Sequence, residues 1–284
     1  EYEDRAIRPY MVAPWDVRWI YYDPRLLGRA RHQVMRHVDE RNAVLVFMRQ
    51  STNAGTYDHL LAAAMPVSDR VFFSAHGAPF VAPIFLQADE RRSSNLSSSY
   101  RAEMSRRLGI PFDDDGRGLP DSFGSSDLFH WVYSVVHCPN YRRQFHAMLR
   151  IDFPRIPWPR DLSEFQTRSE RGRRLAERHL SAGRCDAFDD QAATIEFGTE
   201  LHIAPGFPRW EPPGRLLLNP HQNWPELVED AVWRFRLGGY PVLFRWIKQR
   251  RNRNLSGCDQ AHLRTMIETI RYTVRWMEAP SMSD

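Results

Sequence analysis

The residues best equipped for chemistry lie in Gly238-Gly239-Tyr240-Pro241-Val242-Leu243-Phe244-Arg245-Trp246-Ile247-Lys248-Gln249-Arg250-Arg251-Asn252-Arg253-Asn254. From Arg245 to Asn254 this stretch carries five cations, Arg245, Lys248, Arg250, Arg251 and Arg253, and no acid. A guanidinium is a rigid fork of donors that fits a phosphate or a base edge with two parallel hydrogen bonds. A Gly-Gly hinge followed by an aromatic, cationic helix is a surface suited to a nucleic-acid backbone. The competing reading is a solvated helix end whose cations complement the negative end of the helix dipole. The residues alone leave both open. A second polar set, Arg49, Gln50 and Asn53, follows an apolar run. Arg, Gln and Asn are the side chains that pair in bidentate fashion with guanine and adenine edges, although most such loops merely cap a sheet.

Other chemistry is excluded or weak. Lys248 is the only lysine. Trp246 stands two residues before it, so an Asp/Glu-x-Lys nuclease is excluded, as is a phosphate-cradling Gly-Lys-Ser/Thr loop. Asn219-Pro220-His221-Gln222 is the nearest approach to an Asn-Pro-Pro-aromatic methyltransferase loop and fails at its last two positions, so it reads as a turn. There is no glycine-rich loop for a methyl donor, and no His-Glu-x-x-His. His130, His137, Cys138 and His146 lack a carboxylate or second cysteine spaced to complete a metal site, and capping or packing roles fit them better. Cys138 with His137 as a hydrolase pair is a remote rival, because Pro139 and an apolar setting describe an inert buried thiol.

The bulk composition is that of an ordinary soluble globular protein: 284 residues, 42% hydrophobic and 26% charged. A net charge of +4 permits a polyanionic partner without demanding one. Cys138, Cys185 and Cys258 are far apart and odd in number, which argues against a disulfide framework and for a reducing, cytoplasmic setting. No run approaches the roughly 18 apolar residues of a membrane span. Glu1-Tyr2-Glu3-Asp4-Arg5 is not a signal peptide, and the chain reads as a piece of something longer.

The elements that must position these residues read as α+β, with a mixed-sheet N-terminal lobe and a predominantly helical C-terminal part. Strands are expected at Arg18–Tyr22, Ala43–Met48, Arg70–Ser74, Phe80–Leu86 and Ala193–Phe197. A short helix is expected over Arg31–His37, and Trp19, Tyr21 and Tyr22 are assigned to core or interface. Helices follow from Ser99 to Leu108, stopped by Gly109; from Ser126 or Asp127 to His137; from Pro139 with Tyr141, Phe145, Met148 and Leu149 on one stripe; from Asp161 to Leu180; and from Asp259 to Glu278. Three prolines in Asp152-Phe153-Pro154-Arg155-Ile156-Pro157-Trp158-Pro159 force an extended connector. The expected division is an α/β lobe with base-reading loops (residues 1–125), a helical segment with the connector (126–181), an irregular or β segment (182–240) and C-terminal helices (241–284).

Several segments together resemble the C-terminal specificity region of type ISP restriction–modification enzymes. They are Arg8-Pro9-Tyr10 with Asp16-Val17-Arg18-Trp19-Ile20-Tyr21-Tyr22-Asp23, Val34-Met35-Arg36-His37, Phe129-His130-Trp131-Val132-Tyr133-Ser134-Val135-Val136-His137-Cys138-Pro139-Asn140-Tyr141-Arg142, Asp152-Phe153-Pro154-Arg155-Ile156-Pro157, and Phe235-Arg236-Leu237-Gly238-Gly239-Tyr240 running into Trp246-Ile247-Lys248 and Arg250. They follow in order over nearly the whole chain. The chain is arginine-rich where the family is richer in lysine, and residues 49–60, 87–125 and 182–225 match poorly, as base-reading loops of different specificity would. The resemblance implies a DNA target-recognition module of a single polypeptide that also joins a nuclease, an ATP-driven motor and an adenine-N6 methyltransferase. It implies no cofactor in this chain, with S-adenosylmethionine, ATP and Mg serving the parent enzyme, and double-stranded DNA and the methyltransferase and motor domains as partners. Arg245, Lys248, Arg250, Arg251 and Arg253 would meet phosphates, and Arg49, Gln50 and Asn53 base edges. The rival within the same family is a docking domain with little DNA contact.

Overall fold

The structure is a computed structural model that describes residues 3–28, 30–50, 57–74, 77–88, 91–184 and 200–279. The chain opens with a hairpin, β1 (Ile7–Ala13) and β2 (Asp16–Tyr21), turned at Trp15, whose φ is 59° and whose ring is fully buried. Of the aromatics on and after β2, Tyr22 is buried but Trp19 is 39% exposed. The helix expected over Arg31–His37 is a single turn, α1 (His32–Met35).

Next comes a three-stranded antiparallel sheet in the order β4 (Leu60–Ala63), β3 (Val44–Phe47), β5 (Phe80–Pro83). Side chains alternate between the faces of a strand. Val44 and Val46 enter one hydrophobic core while Leu45 and Phe47 pack against another. In β4, Leu61 and Ala63 join the first core, Leu60 and Ala62 the second. The sheet therefore stands between two cores, which explains why both strands are apolar at every position.

The first core combines β1, β2 and β3 with Leu201, Ile203, Leu216, Leu243, Trp246, Leu263 and Ile270. The second gathers Met104, Trp131, Phe165, Leu175 and Trp276. Both cores draw on residues from several of the four segments expected from sequence. The α+β class is as expected, but the sheets are all antiparallel among the described residues, with parallel pairing confined to the bridges Met11–Val67 and Phe112–Phe123.

Two strand expectations fail. Phe80–Leu86 is broken at Ile84 into β5 and β6 (Phe85–Ala88), which pairs with β7 (Arg91–Ser94). Arg70–Ser74 is not a strand: Val71 N–H turns back to Ser68 O, and Phe73 N–H donates to Gly238 O at 2.7 Å. The candidate strand at Ala193–Phe197 lies outside the described residues.

The helices follow their capping chemistry. Ser97 accepts from Tyr100 N to start α2 (Ser98–Leu108), and Gly109, at φ 71°, ends it. In α3 (Ser125–His137) Asp127 sits in the first turn and accepts from Gly124 N. Pro139 opens α4 (Pro139–Gln144), and the stripe continues after a break at Phe145 as α5 (His146–Leu149). After the extended prolines, Asp161 caps α6 (Leu162–Ala182). α6 packs along α3 so closely that a Cβ on Gly172 would lie 1.9 Å from His130 O.

Small strands β8 (Leu201–Ile203), β9 (Arg209–Glu211) and β10 (Arg215–Leu217), and the single turn α7 (Asp230–Trp233), fill a region expected to be irregular or β. The hairpin β11 (Arg236–Leu237) and β12 (Tyr240–Pro241) leads into α8 (Val242–Lys248). Then come β13 (Arg253–Leu255), paired with β8, and α9 (Gly257–Glu278). Asn219 Oδ1 accepts from His221 N and Gln222 N, an Asx turn as the sequence reading required. Among the described residues no helix is long and apolar enough to cross a membrane.

A relay of hydrogen bonds joins sheet and helices where the cores meet. Ala62 N–H donates to the Tyr133 hydroxyl oxygen at 3.2 Å, and that hydroxyl donates to His179 Nδ1 at 2.5 Å. His179 Nε2–H donates to Thr273 Oγ1 at 2.8 Å, and that hydroxyl donates to Thr269 O at 2.7 Å. The bond from Tyr133 requires an unprotonated Nδ1, and burial followed by the Arg142 charge holds His179 down at about 3. In the unfolded chain the same imidazole takes a proton below about pH 6.5. Stability therefore falls as pH drops from about 6.5 towards 3, by up to about 1.4 kcal/mol per pH unit from His179 alone. Urea unfolding at pH 7, 6 and 5 should show that loss, and His179→Gln should flatten it while lowering stability at pH 7.

Candidate nucleic-acid interface

The five cations of residues 245–254 do not lie on one helix. α8 ends at Lys248, Asn252 turns with φ 63°, and Arg253 starts β13. Arg250 is only 6% exposed. Its Nη1 lies 3.1 Å from Asp16 Oδ1, its Nε 2.8 Å from Asp259 Oδ1, and its guanidinium 3.5 Å from the Trp246 ring centroid. It ties the start of β2 to the first turn of α9, and its placement corrects the expectation of a phosphate contact: the cation is already spent inside the protein. Arg253 is half-exposed but shares Asp259 at 3.2 Å, and Arg251 donates to Phe207 O. Arg245 and Lys248 differ, for neither meets a carboxylate among the described residues. Arg245 lies 3.9 Å over the Tyr240 ring, and exposed Lys248 lies 5.8 Å from the centroid of Phe244.

The Gly-Gly pair is no hinge. Gly238 and Gly239, at φ 57° and 76°, form the two-residue loop between paired Leu237 and Tyr240, the geometry that matches strand twist. Three bonds clamp it: Gly238 N–H to Asp58 O at 2.8 Å, Gly239 N–H to Asp58 Oδ2 at 3.2 Å, and Phe73 N–H to Gly238 O at 2.7 Å. A Cβ at Gly238 would sit 1.9 Å from the buried Phe72 ring. Around the clamped turn lies a set the sequence reading did not assemble. Phe73 is 56% exposed, and its ring meets Tyr240 edge to face at 5.8 Å. The Tyr240 hydroxyl donates to Arg70 O at 3.3 Å, and Arg236 donates to Gly239 O. Arg70, Arg236, Arg245 and Lys248 make no ion pair among the described residues. The only sequence signal for this cluster is the Gly-Gly-Tyr turn itself.

Arg49 and Gln50 lie elsewhere, just after β3. Arg49 is exposed, pairs with Asp152 at 3.2 Å and covers the Phe153 ring at 5.7 Å, so it touches none of the five cations. The backbone N–H of Phe153 and then Arg49 hold the Asp152 carboxyl below its ordinary value. Gln50 is half-buried, and Asn53 lies outside the described residues.

Two of the candidate histidines, His130 and His137, are held uncharged by their surroundings. Burial pushes His130 down to about 4, and burial, Arg142 and His179 hold His137 far below its usual value. His137 Nδ1–H donates to Tyr133 O at 2.8 Å, and no hydrogen bond joins its ring to the buried thiol of Cys138 among the described residues. No group of three or more metal-ligating side chains occurs among the described residues.

Two substitutions separate scaffold from surface. Arg250→Ala leaves Asp16 and Asp259 without their shared cation and should cost about 3–5 kcal/mol in denaturant unfolding, whereas Lys248→Ala should change it by less than about 0.5 kcal/mol. Gly238→Ala forces a left-handed backbone onto alanine and drives its methyl into Phe72. It should lower stability by at least about 1–2 kcal/mol in the same assay.

Residues 1–279 match the family described as the Type ISP C-terminal specificity domain. No curated protein matches the chain. Solved structures share its fold over 99% of its length. One is the cryoEM structure of the DrdV–DNA complex, with TM-score 0.71, 18% identity and 29% of that chain covered. A second is a nuclease-deletion mutant of the Type ISP restriction–modification enzyme LlaGI with a DNA substrate mimic, with TM-score 0.67, 16% identity and 21% covered. A third is the ATP-dependent Type ISP restriction–modification enzyme LlaBIII bound to DNA, with TM-score 0.70, 14% identity and 19% covered. The chain thus spans less than a third of each.

Proposed function

The chain belongs to the Type ISP C-terminal specificity domain family, and on that premise we propose that it holds duplex DNA and reads the target sequence for a restriction–modification polypeptide. The observation that carries this reading is the clamped Gly-Gly-Tyr turn, around which Arg70, Arg236 and Arg245 stand without carboxylate partners among the described residues, with Lys248 equally unpaired at the far end of α8. Cations left unpaired in one place are free to replace the counterions of a phosphate backbone. Arg245 and Lys248 remain assigned to phosphates and are joined in that role by Arg70 and Arg236, while Arg251 and Arg253 contribute from the flank. Arg250 leaves the set. Arg49 and Gln50 are assigned to base edges, since phosphate contacts fix position and only base contacts specify.

The reaction served is adenine-N6 methylation by a separate methyltransferase domain, which flips the target base out of the stack. S-adenosylmethionine, ATP and Mg belong to the parent polypeptide, whose setting is the cytoplasm. This chain contributes the register of the DNA and no catalytic group.

A salt series on a labelled duplex tests the reading with the full polypeptide. Log affinity should fall linearly with log salt, by about 0.9 for each phosphate neutralised. The Arg245→Ala, Lys248→Ala double variant should weaken all sequences alike and flatten the slope by roughly 2. A polypeptide whose affinity ignores salt would instead carry this chain as a docking domain.

A further inference from the structure

Phe73 is the one side chain of the turn cluster that the DNA reading leaves without a task. An aromatic ring that is 56% exposed is costly to leave in water, yet this one is held on both sides. Its own N–H is fastened to Gly238 O at 2.7 Å, its neighbour Phe72 is buried beneath Gly238, and its ring meets Tyr240 edge to face. Tyr240 is in turn covered by the Arg245 guanidinium and fastened through its hydroxyl to Arg70 O. The ring therefore projects from a braced platform with cations on its flanks. A protein-docking residue would be expected among apolar neighbours. A ring framed by Arg70, Arg236 and Arg245 is instead arranged for a partner that is anionic outside and aromatic within, and stacked bases inside a phosphate backbone have that make-up.

We propose that Phe73 is a wedge that enters a base step of duplex DNA and partly unstacks it, while Arg70 and Arg236 hold the phosphates on either side. This rests on the proposed DNA reading and adds to it a specificity device, because the cost of unstacking depends on the step and is least at flexible pyrimidine–purine steps. The ring needs no base-specific hydrogen bond to discriminate.

The test uses the full polypeptide and duplexes carrying 2-aminopurine at successive positions. Wild type should brighten the probe several-fold at one step, where stacking is lost. Phe73→Ala should abolish that brightening and weaken binding by about tenfold, the scale of one lost aromatic–base contact. Its salt slope should stay unchanged, since no cation is removed. Phe73→Leu, which keeps an apolar wedge, should restore much of the brightening. An unfolding curve of each variant, expected to match wild type for so exposed a ring, separates the effect from misfolding. If wild type binds DNA with a salt slope and Phe73→Ala still brightens the probe and binds equally well, the wedge is overturned and the DNA reading stands. If wild type shows no salt-dependent binding, the DNA reading falls and takes the wedge with it.

Discussion

The relay from Ala62 through Tyr133, His179 and Thr273 to Thr269 sets the terms for the rest of the molecule. In a buried, weakly polarisable place each donor fixes what the next group must accept, and losing one member strands the others. The relay joins β4, α3, α6 and α9, which have no sequence proximity to bring them together. Asp58 stands two residues before β4, and it is Asp58 that clamps Gly238 and Gly239. The position of the turn, and of the ring and cations around it, is thus inherited from the interior.

Much of this was legible in the sequence. The stop of α2 at Gly109, the start of α6 at Asp161, the proline connector and the apolar run of β3 are local signals, and the structure follows them, whereas α9 begins two residues before the expected Asp259, capped by Ser256. β4 was missed because Leu60-Leu61-Ala62-Ala63 carries no β-branched residue and no alternation. Its strand form comes from burial on both faces, which propensity does not register. Val71-Phe72-Phe73 gave the opposite error. Its composition suits a strand, but Phe72 is consumed under Gly238 and Phe73 is turned outward.

The basic segment shows why charge counts mislead. Arg250 and Lys248 look alike in sequence, and only the fold, by bringing Asp16 within 3.1 Å of a residue 234 positions away, makes one a strut. Arginine suits that strut: its delocalised charge is weakly hydrated and stacks on Trp246, where an ammonium would not. A segment that is basic for two reasons at once, half for internal fastening and half for its surface, cannot be apportioned by composition.

The first core has a consequence in time. It is assembled from residues 11–72 and again from 182–270, with the second core's helices between. At ordinary rates of synthesis Ile270 leaves the ribosome on the order of ten to fifty seconds after Met11. For that interval the inner faces of β1, β2 and β3 have no permanent cover, and the nascent chain must shelter them by provisional contacts or by a chaperone. The feature that fuses beginning and end into one body also makes this a domain that finishes late.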